Sequence, residues 1–386
     1  MKNFLTSKIL ITLVLFWTNL SAISFEEYKN QQENQYLKYE NKINKEYEQY
    51  KKAYEYAFKM FKKDLKIHWP EKTPIITSKH KFVEYSKDLK KRKIVNYQEQ
   101  NIILEVHAKT KKQAKKDFEK MFDDLLKEDV KKAFENDILE YKVIKKLNVK
   151  PKKVKSNQKI ISDMINKNQI KKLKNQIKTK NIKKVKYKKD VIFTLNIKLP
   201  SRAFLNKAKA FKKNVYKNSK TQKIPSELIY AIIHSESSFN PMARSYVPAF
   251  GLMQIVPRTA GRDTYKYLYK KDKLLSASYL YNSSNNIKIG SAYLHIIYYS
   301  YLRNIKNPTS RLFCTIASYN TGAGNVSRAF IGNTNINKAA KIINKMSSKQ
   351  VYKKLLRSLP HDETKHYLRN VYKRTLMYDR LLKKGF

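Results

Sequence analysis

All seven glycines of this 386-residue chain lie at or after Gly251. Glycine is the residue that enters left-handed backbone at no steric cost, so turn chemistry must change sharply between the two halves. The length suffices for two domains, each with its own core. We place the boundary near Pro200, giving an α+β domain over 25–199 and a helical domain over 200–386. In the first, 25–69 is polar and glycine-free, with Tyr28, Tyr36, Tyr47, Tyr50, Tyr54, Phe58 and Phe61 at mostly helical spacing. That pattern predicts one or two long amphipathic helices whose tyrosines pack. Pro70 and Pro74 break it. The runs 82–85, 92–97 and 102–106 are apolar and β-branched, predicting a small antiparallel sheet that 191–197 rejoins. Helices are expected over 110–126 and 130–147. The stretch 145–189 is lysine-laden, poor in acids and expected to be mobile.

From 201 onward helical periodicity dominates, with helices expected over 202–218, 225–239, 253–260, 287–302, 310–318, 325–330, 351–356 and 365–382. The segment 224–241 is the most informative. Pro225 and Ser226 suit a helix start, Glu227 its positive end, and Asn240-Pro241 a stop. Ile229, Ile232 and Ile233 fall on one stripe, and Glu236 lies four and three residues beyond the last two. One carboxylate is thereby aimed inward. Burial and the negative end of the helix dipole both raise its pKa, so it can hold a proton at neutral pH and donate it. Periodicity alone leaves open an exposed last turn, since most helix-end glutamates are solvated.

Residues 1–24 carry Lys2 and Lys8, an apolar stretch over 9–17 and a small-x-small site at Ala22-Ile23-Ser24. Such a segment is a secretory signal peptide, too short in its apolar core for a bilayer span, and directs the chain to the periplasm. The sequence has 83 Lys+Arg against 31 Asp+Glu, a formal net charge of +52. Polyanions are therefore expected partners: the carboxylate-bearing cell wall and an anionic membrane surface, such as that of the outer membrane. Nucleic acid is not expected, because the leader takes the chain out of the cytoplasm. Lysine, asparagine, isoleucine and tyrosine are abundant together, which discounts the charge as evidence for one ligand. Cys314 is the single cysteine, within an apolar run, and is expected in the core. His361 and His366 form no metal-ligand pattern, so neither metal nor cofactor is expected. The Gly322–Gly324 pair follows no strand and lacks the rest of a phosphate-loop fingerprint.

Four ordered stretches carry a family resemblance: Glu236-Ser237-Ser238-Phe239-Asn240-Pro241, then Gly251-Leu252-Met253-Gln254, then Ala317-Ser318-Tyr319-Asn320-Thr321-Gly322, then Glu363-Thr364-Lys365-His366-Tyr367. They resemble the lytic transglycosylases related to goose-type lysozyme. The run Asn307-Pro308-Thr309-Ser310-Arg311 and the N-terminal region resemble one membrane-bound branch, over nearly the whole mature chain. The resemblance implies an all-α lysozyme-like catalytic domain and cleavage of the MurNAc–GlcNAc β-1,4 bond of peptidoglycan, with glycan strands as partner. It implies Glu236 as catalytic acid and then base, with Ser237, Met253, Gln254, Tyr319, Asn320 and Tyr367 binding substrate. The branch's lipidated cysteine has no counterpart, so charge alone is expected to tether the chain.

Glycosidases ordinarily pair an acid with a second carboxylate that holds water or acts as nucleophile. The first three motifs contain no second acid. The family's alternative is attack by the muramic acid's own C6 hydroxyl, an intramolecular step whose effective molarity offsets the missing water and leaves a 1,6-anhydro end. Rival readings are a hydrolytic muramidase, with Asp263, Asp272, Asp362 or Glu363 folded back to hold water, and a non-catalytic wall-binding protein.

Overall fold

The computed structural model describes residues 25–70, 74–187 and 190–386. The expected signal peptide, 1–24, lies outside the described residues. The chain divides into two units, Met1–Lys45 and Glu46–Phe386. Helix α1 (Phe25–His68) begins in the first and ends in the second, a single helix across the stretch where one or two were expected. In the second unit its Tyr47, Tyr54, Ala57, Phe61 and Leu65 are buried, so these aromatics do pack.

Three strands follow, β1 (Lys81–Tyr85), β2 (Lys91–Asn96) and β3 (Asn101–His107), then helices α2 (Lys111–Lys127), α3 (Val130–Glu135), α4 (Ile138–Leu147) and α5 (Lys167–Thr179), then β4 (Lys183–Tyr187) and β5 (Asp190–Lys198). The sheet order is β1-β2-β3-β5-β4, and every neighbouring pair is antiparallel. Along β3 the alternation of Ile102, Leu104 and Val106 with less buried neighbours puts one face into the core. That core also holds Phe118, Phe122 and Leu125 of α2. Val83, Tyr85, Ile94 and Ile192 share a second cluster with Phe61 and Leu65 of α1.

The stretch expected to be mobile instead contributes α5 and β4. Lysine density hid an amphipathic helix: Leu173 and Ile177 stand four apart and are buried, and Asn166 and Gln169 close a capping box at its start. β4 is an edge strand whose lysines face solvent, as edges that avoid pairing with other chains require.

The helical region comprises α6 (Ala203–Ala210), α7 (Lys212–Gln222), α8 (Ser226–Ser237), α9 (Arg262–Tyr269), α10 (Ala277–Leu280), α11 (Ser283–His295), α12 (Pro308–Thr321), α13 (Ala323–Ile331), α14 (Ile336–Ile343), α15 (Ser348–Ser358) and α16 (Asp362–Lys383). The helix expected over 202–218 breaks at Phe211, which serves as C-cap of α6 and N-cap of α7. The helix expected over 253–260 begins later: Phe250 bridges to Ile255 in a tight turn, and a π-helix over Pro257–Gly261 leads into α9. Leu228, Ile229, Tyr230, Ala231, Ile232 and Ile233 of α8 are all buried. A helix apolar on every side belongs at the centre, so α8 is the axis of this region rather than an amphipathic flank. Tyr230 stacks on Tyr378 of α16 at 5.2 Å. The fold is thus an α+β region followed by a helical one, and a single buried cluster runs from Leu104 and Phe118 through Ile229 to Tyr378.

Candidate active site

Glu236 sits in the last turn of α8 and is 5% exposed. Its Oε1 accepts a hydrogen bond from the Tyr367 hydroxyl at 2.7 Å. The Lys79 ammonium stands 3.9 Å from Oε2 and 4.0 Å from Oε1 of Glu363. Burial raises the Glu236 pKa; Lys79 and the Tyr367 hydrogen bond draw it down, and Glu363 adds a smaller upward push. The sign matches the sequence expectation, because loss of water around the charged form is the largest effect.

Beyond Glu236 the backbone turns left-handed at two successive non-glycine residues, Ser238 (φ 50°) and Phe239 (φ 66°). Such conformations persist only where the surroundings fix them. Here Phe239 is fully buried against Phe211 and His234. Asn240, also fully buried, donates its Nδ2 to the Ser78 and Lys79 carbonyls at 3.2 and 3.3 Å, and its Oδ1 accepts from the Met242 amide. The helix end is thereby fastened to the segment preceding β1, which carries Lys79.

The second motif is the tight turn. Gly251 has φ 74°, and a Cβ there would lie 2.6 Å from the Leu280 carbonyl and collide with the Asn286 amide. Glycine is therefore required. Buried Asn286 brackets the turn, donating to the Phe250 and Leu280 carbonyls and accepting from the Met253 amide, each at 2.8 Å. Met253 is fully buried, its side chain lying where a Cβ on Gly290 would fall. Ser237 is fully buried too, its hydroxyl 2.8 Å from the Leu252 carbonyl and 3.0 Å from that of Ile233. These two side chains, expected to bind substrate, both face inward in this structure and join the turn to its neighbours. Gln254 is 8% exposed, donates Nε2 to the Gly251 carbonyl at 3.1 Å, and leaves its buried Oε1 without a hydrogen-bond partner.

The third and fourth motifs close the site. Tyr319, near the end of α12, donates its hydroxyl to the Met253 carbonyl at 2.8 Å. Thr364 donates to Asn320 Oδ1 at 2.7 Å, joining the ends of α12 and α16. Tyr319 and Tyr367 are both held well above the usual phenol range, by burial first and by the Glu236 charge second. Both hydroxyls therefore remain donors. Of the four acids that could have folded back, Asp263 accepts from Tyr301, Asp272 is clamped by Arg262, and Asp362 pairs with Lys365. Glu363 stands apart from these because it shares Lys79 with Glu236.

Sequence reasoning missed Lys79, His80 and Asn286. His80 meets the Ser238 hydroxyl through Nδ1 at 3.0 Å and is pushed down to about 4 by burial, then by Lys79 and Arg374. No periodicity links residues 79 and 80 to 236, so only the tertiary fold could reveal them. Cys314 is fully buried with its thiol pushed up to about 12 by burial, a core residue as expected. No helix among the described residues is long and apolar enough to cross a membrane.

Residues 213–349 match the family model described as the transglycosylase SLT domain. The chain is 42% identical over 178 residues to the membrane-bound lytic murein transglycosylase C of Serratia proteamaculans, covering 46% of this chain and 49% of that one. The protein of the same name from Photorhabdus laumondii is 42% identical over 181 residues, covering 47% and 50%. The chain thus spans about half the length of the curated relatives it matches, and the similarity covers 46% and 47% of this chain where nearly all of the mature chain was expected. Among solved structures, the 70 kDa soluble lytic transglycosylase of Escherichia coli aligns with 26% identity and a TM-score of 0.35, over 45% of this chain and 24% of that one. The matched family segment contains Glu236, the Gly251 turn and Tyr319-Asn320, whereas Lys79 and Tyr367 lie outside it. The helical region therefore contains a segment that matches the transglycosylase SLT domain, on a chain similar over about half its length to the membrane-bound lytic murein transglycosylases C.

Proposed function

We propose that the protein is a peptidoglycan lytic transglycosylase that cleaves the MurNAc–GlcNAc β-1,4 bond without water and leaves 1,6-anhydromuramic acid ends. One observation carries this reading: a buried carboxylate with a raised pKa, Glu236, lying in the segment that matches the transglycosylase SLT domain and hydrogen-bonded by Tyr367. Protonated at the outset, Glu236 gives its proton to the glycosidic oxygen as an oxocarbenium-like centre develops at C1. The C6 hydroxyl of the same sugar then attacks C1, and the Glu236 carboxylate takes that hydroxyl's proton. The same group serves as acid and as base, and the reacting hydroxyl is already tethered. Tyr367 orients the carboxylate in both steps. Gln254 offers its unpartnered Oε1 to a sugar hydroxyl or amide, and Asn320, its Oδ1 already engaged by Thr364, offers its NH₂ group. Ser237, Met253 and Tyr319 shape the site from beneath.

We further assign 1–24 as a signal peptide, 25–199 as the N-terminal domain and 200–386 as the catalytic domain. The destination is the periplasm, with glycan strands as partner and an anionic membrane surface as a second contact for the +52 charge. Glu363 supports one other reading. Its carboxylate shares the Lys79 ammonium with Glu236, so it could place a water for inverting hydrolysis. Its side chain is 79% exposed, however, without the burial that distinguishes Glu236.

Muropeptide release from purified sacculi tests the assignment of the acid. Glu236→Gln should lower the rate by about 10² to 10⁴, and release near the unsubstituted rate would remove Glu236 from the reaction.

A further inference from the structure

We propose that Lys79, contributed by the α+β region, is a positioning residue for Glu236, whose charge steadies the carboxylate formed each time the acid gives up its proton. This rests on the reading of Glu236 as the general acid. Lys79 is no loose surface lysine, because its own backbone carbonyl and that of Ser78 are gripped by the buried Asn240 amide. Its neighbour His80 is fixed twice, through Nδ1 to Ser238 and through its carbonyl to the Tyr97 amide at 3.0 Å. The two Glu236 oxygens are divided between partners: Oε1 takes the Tyr367 hydrogen bond, and Oε2 faces the ammonium.

The groups around the acid come from three elements. Glu363 and Tyr367 approach from α16 and Tyr319 from α12; Lys79 and His80 precede β1. Arg374 of α16 is directed to the Ser235 hydroxyl at 2.8 Å. His80 is held neutral at working pH, and Glu363 adds negative charge. Lys79 is therefore the cation that acts on Glu236. When a group only 5% exposed changes from neutral to anionic, solvent answers the new charge poorly, and the ammonium 3.9 Å away does so in its place. The α+β region thus supplies part of the active site as well as a packing surface.

The test follows the Glu236 carboxyl carbon by ¹³C NMR titration of the full chain, its signal assigned by loss in Glu236→Gln. In Lys79→Met the titration should move up by about one pH unit, the low end of a charge contact because the lysine is partly exposed. Lys79→Arg should restore it. In the pH profile of sacculus digestion, Lys79→Met should carry the alkaline limb upward by the same interval. It should also lower the acid-side plateau roughly two- to fivefold, since a weaker acid donates more slowly. Lys79→Gln replaces the methionine variant if that one does not fold. A Glu236 titration unmoved, or moved down, in a folded Lys79→Met or Lys79→Gln protein would overturn the proposal. If the unsubstituted protein does not digest sacculi, the enzymatic reading fails, while the NMR titration still decides what Lys79 does to Glu236.

Discussion

Burying a carboxyl costs stability at neutral pH, where the unfolded chain would ionise it freely. The folded pKa of Glu236 is raised, so its contribution is most favourable below the unfolded value near 4.5 and is lost as pH rises through the folded one. Glu236→Gln should therefore raise Tm at pH 7.5, by about 1 °C for each kcal/mol gained in a chain of this length. The gain should shrink towards pH 4.5; an unchanged or lowered Tm at pH 7.5 would mean that the carboxylate is not strained by burial. The histidines behind it act in the opposite direction. Burial, with Arg374 and His80 adding, pushes His234 down to about 3. Between pH 6.5 and that value the unfolded chain binds a proton that the native state does not, so stability is full above 6.5 and drains as pH falls. By pH 5 the loss is about 2 kcal/mol. Measured Tm should consequently fall less between pH 7.5 and pH 5 in His234→Gln than in the unsubstituted protein, and parallel curves would contradict this. At this scale, the isoleucine spacing left the aim of Glu236 open between an inward and an exposed last turn, and its burial decides for the inward one. That Ser237 and Met253 face the interior was not legible, because a motif match ranks residues by company rather than by burial.

Among the elements, the Gly251 turn depends most on a single side chain. Asn286 satisfies two carbonyls and one amide in the interior, groups that otherwise lose hydrogen bonds with no water to replace them. Asn286→Ala should destabilise the protein by about 2–4 kcal/mol, read as a lower urea midpoint with unchanged slope. A shift below about 0.5 kcal/mol would mean that the turn holds itself. Helix positions were legible wherever apolar residues recurred every three or four residues, as in α2, α12 and α16. They were misplaced at 253–260, where Phe250 to Ile255 forms a bridged turn and helical backbone begins only at Pro257. α5 was missed because two buried residues among many lysines carry little weight in a composition argument.

For the molecule as a whole, the α+β and helical regions meet through more than the Lys79 segment. Buried Arg244, between the first two motifs, pairs with Asp137 at the N-cap of α4 at 2.8 Å. The change in glycine usage marked where turn chemistry alters, and an α+β region followed by a helical one was legible from that change with the strand and helix periods. How the first region reaches the acid was not, since residues 79 and 236 are far apart in sequence. The central claim is that a single tethered hydroxyl, not water, completes the reaction at Glu236. Mass spectrometry of muropeptides released from purified sacculi decides it. The account predicts products ending in 1,6-anhydromuramic acid, each lighter by one water than a hydrolysed end; reducing ends in their place would contradict it and move Glu363 to the second role.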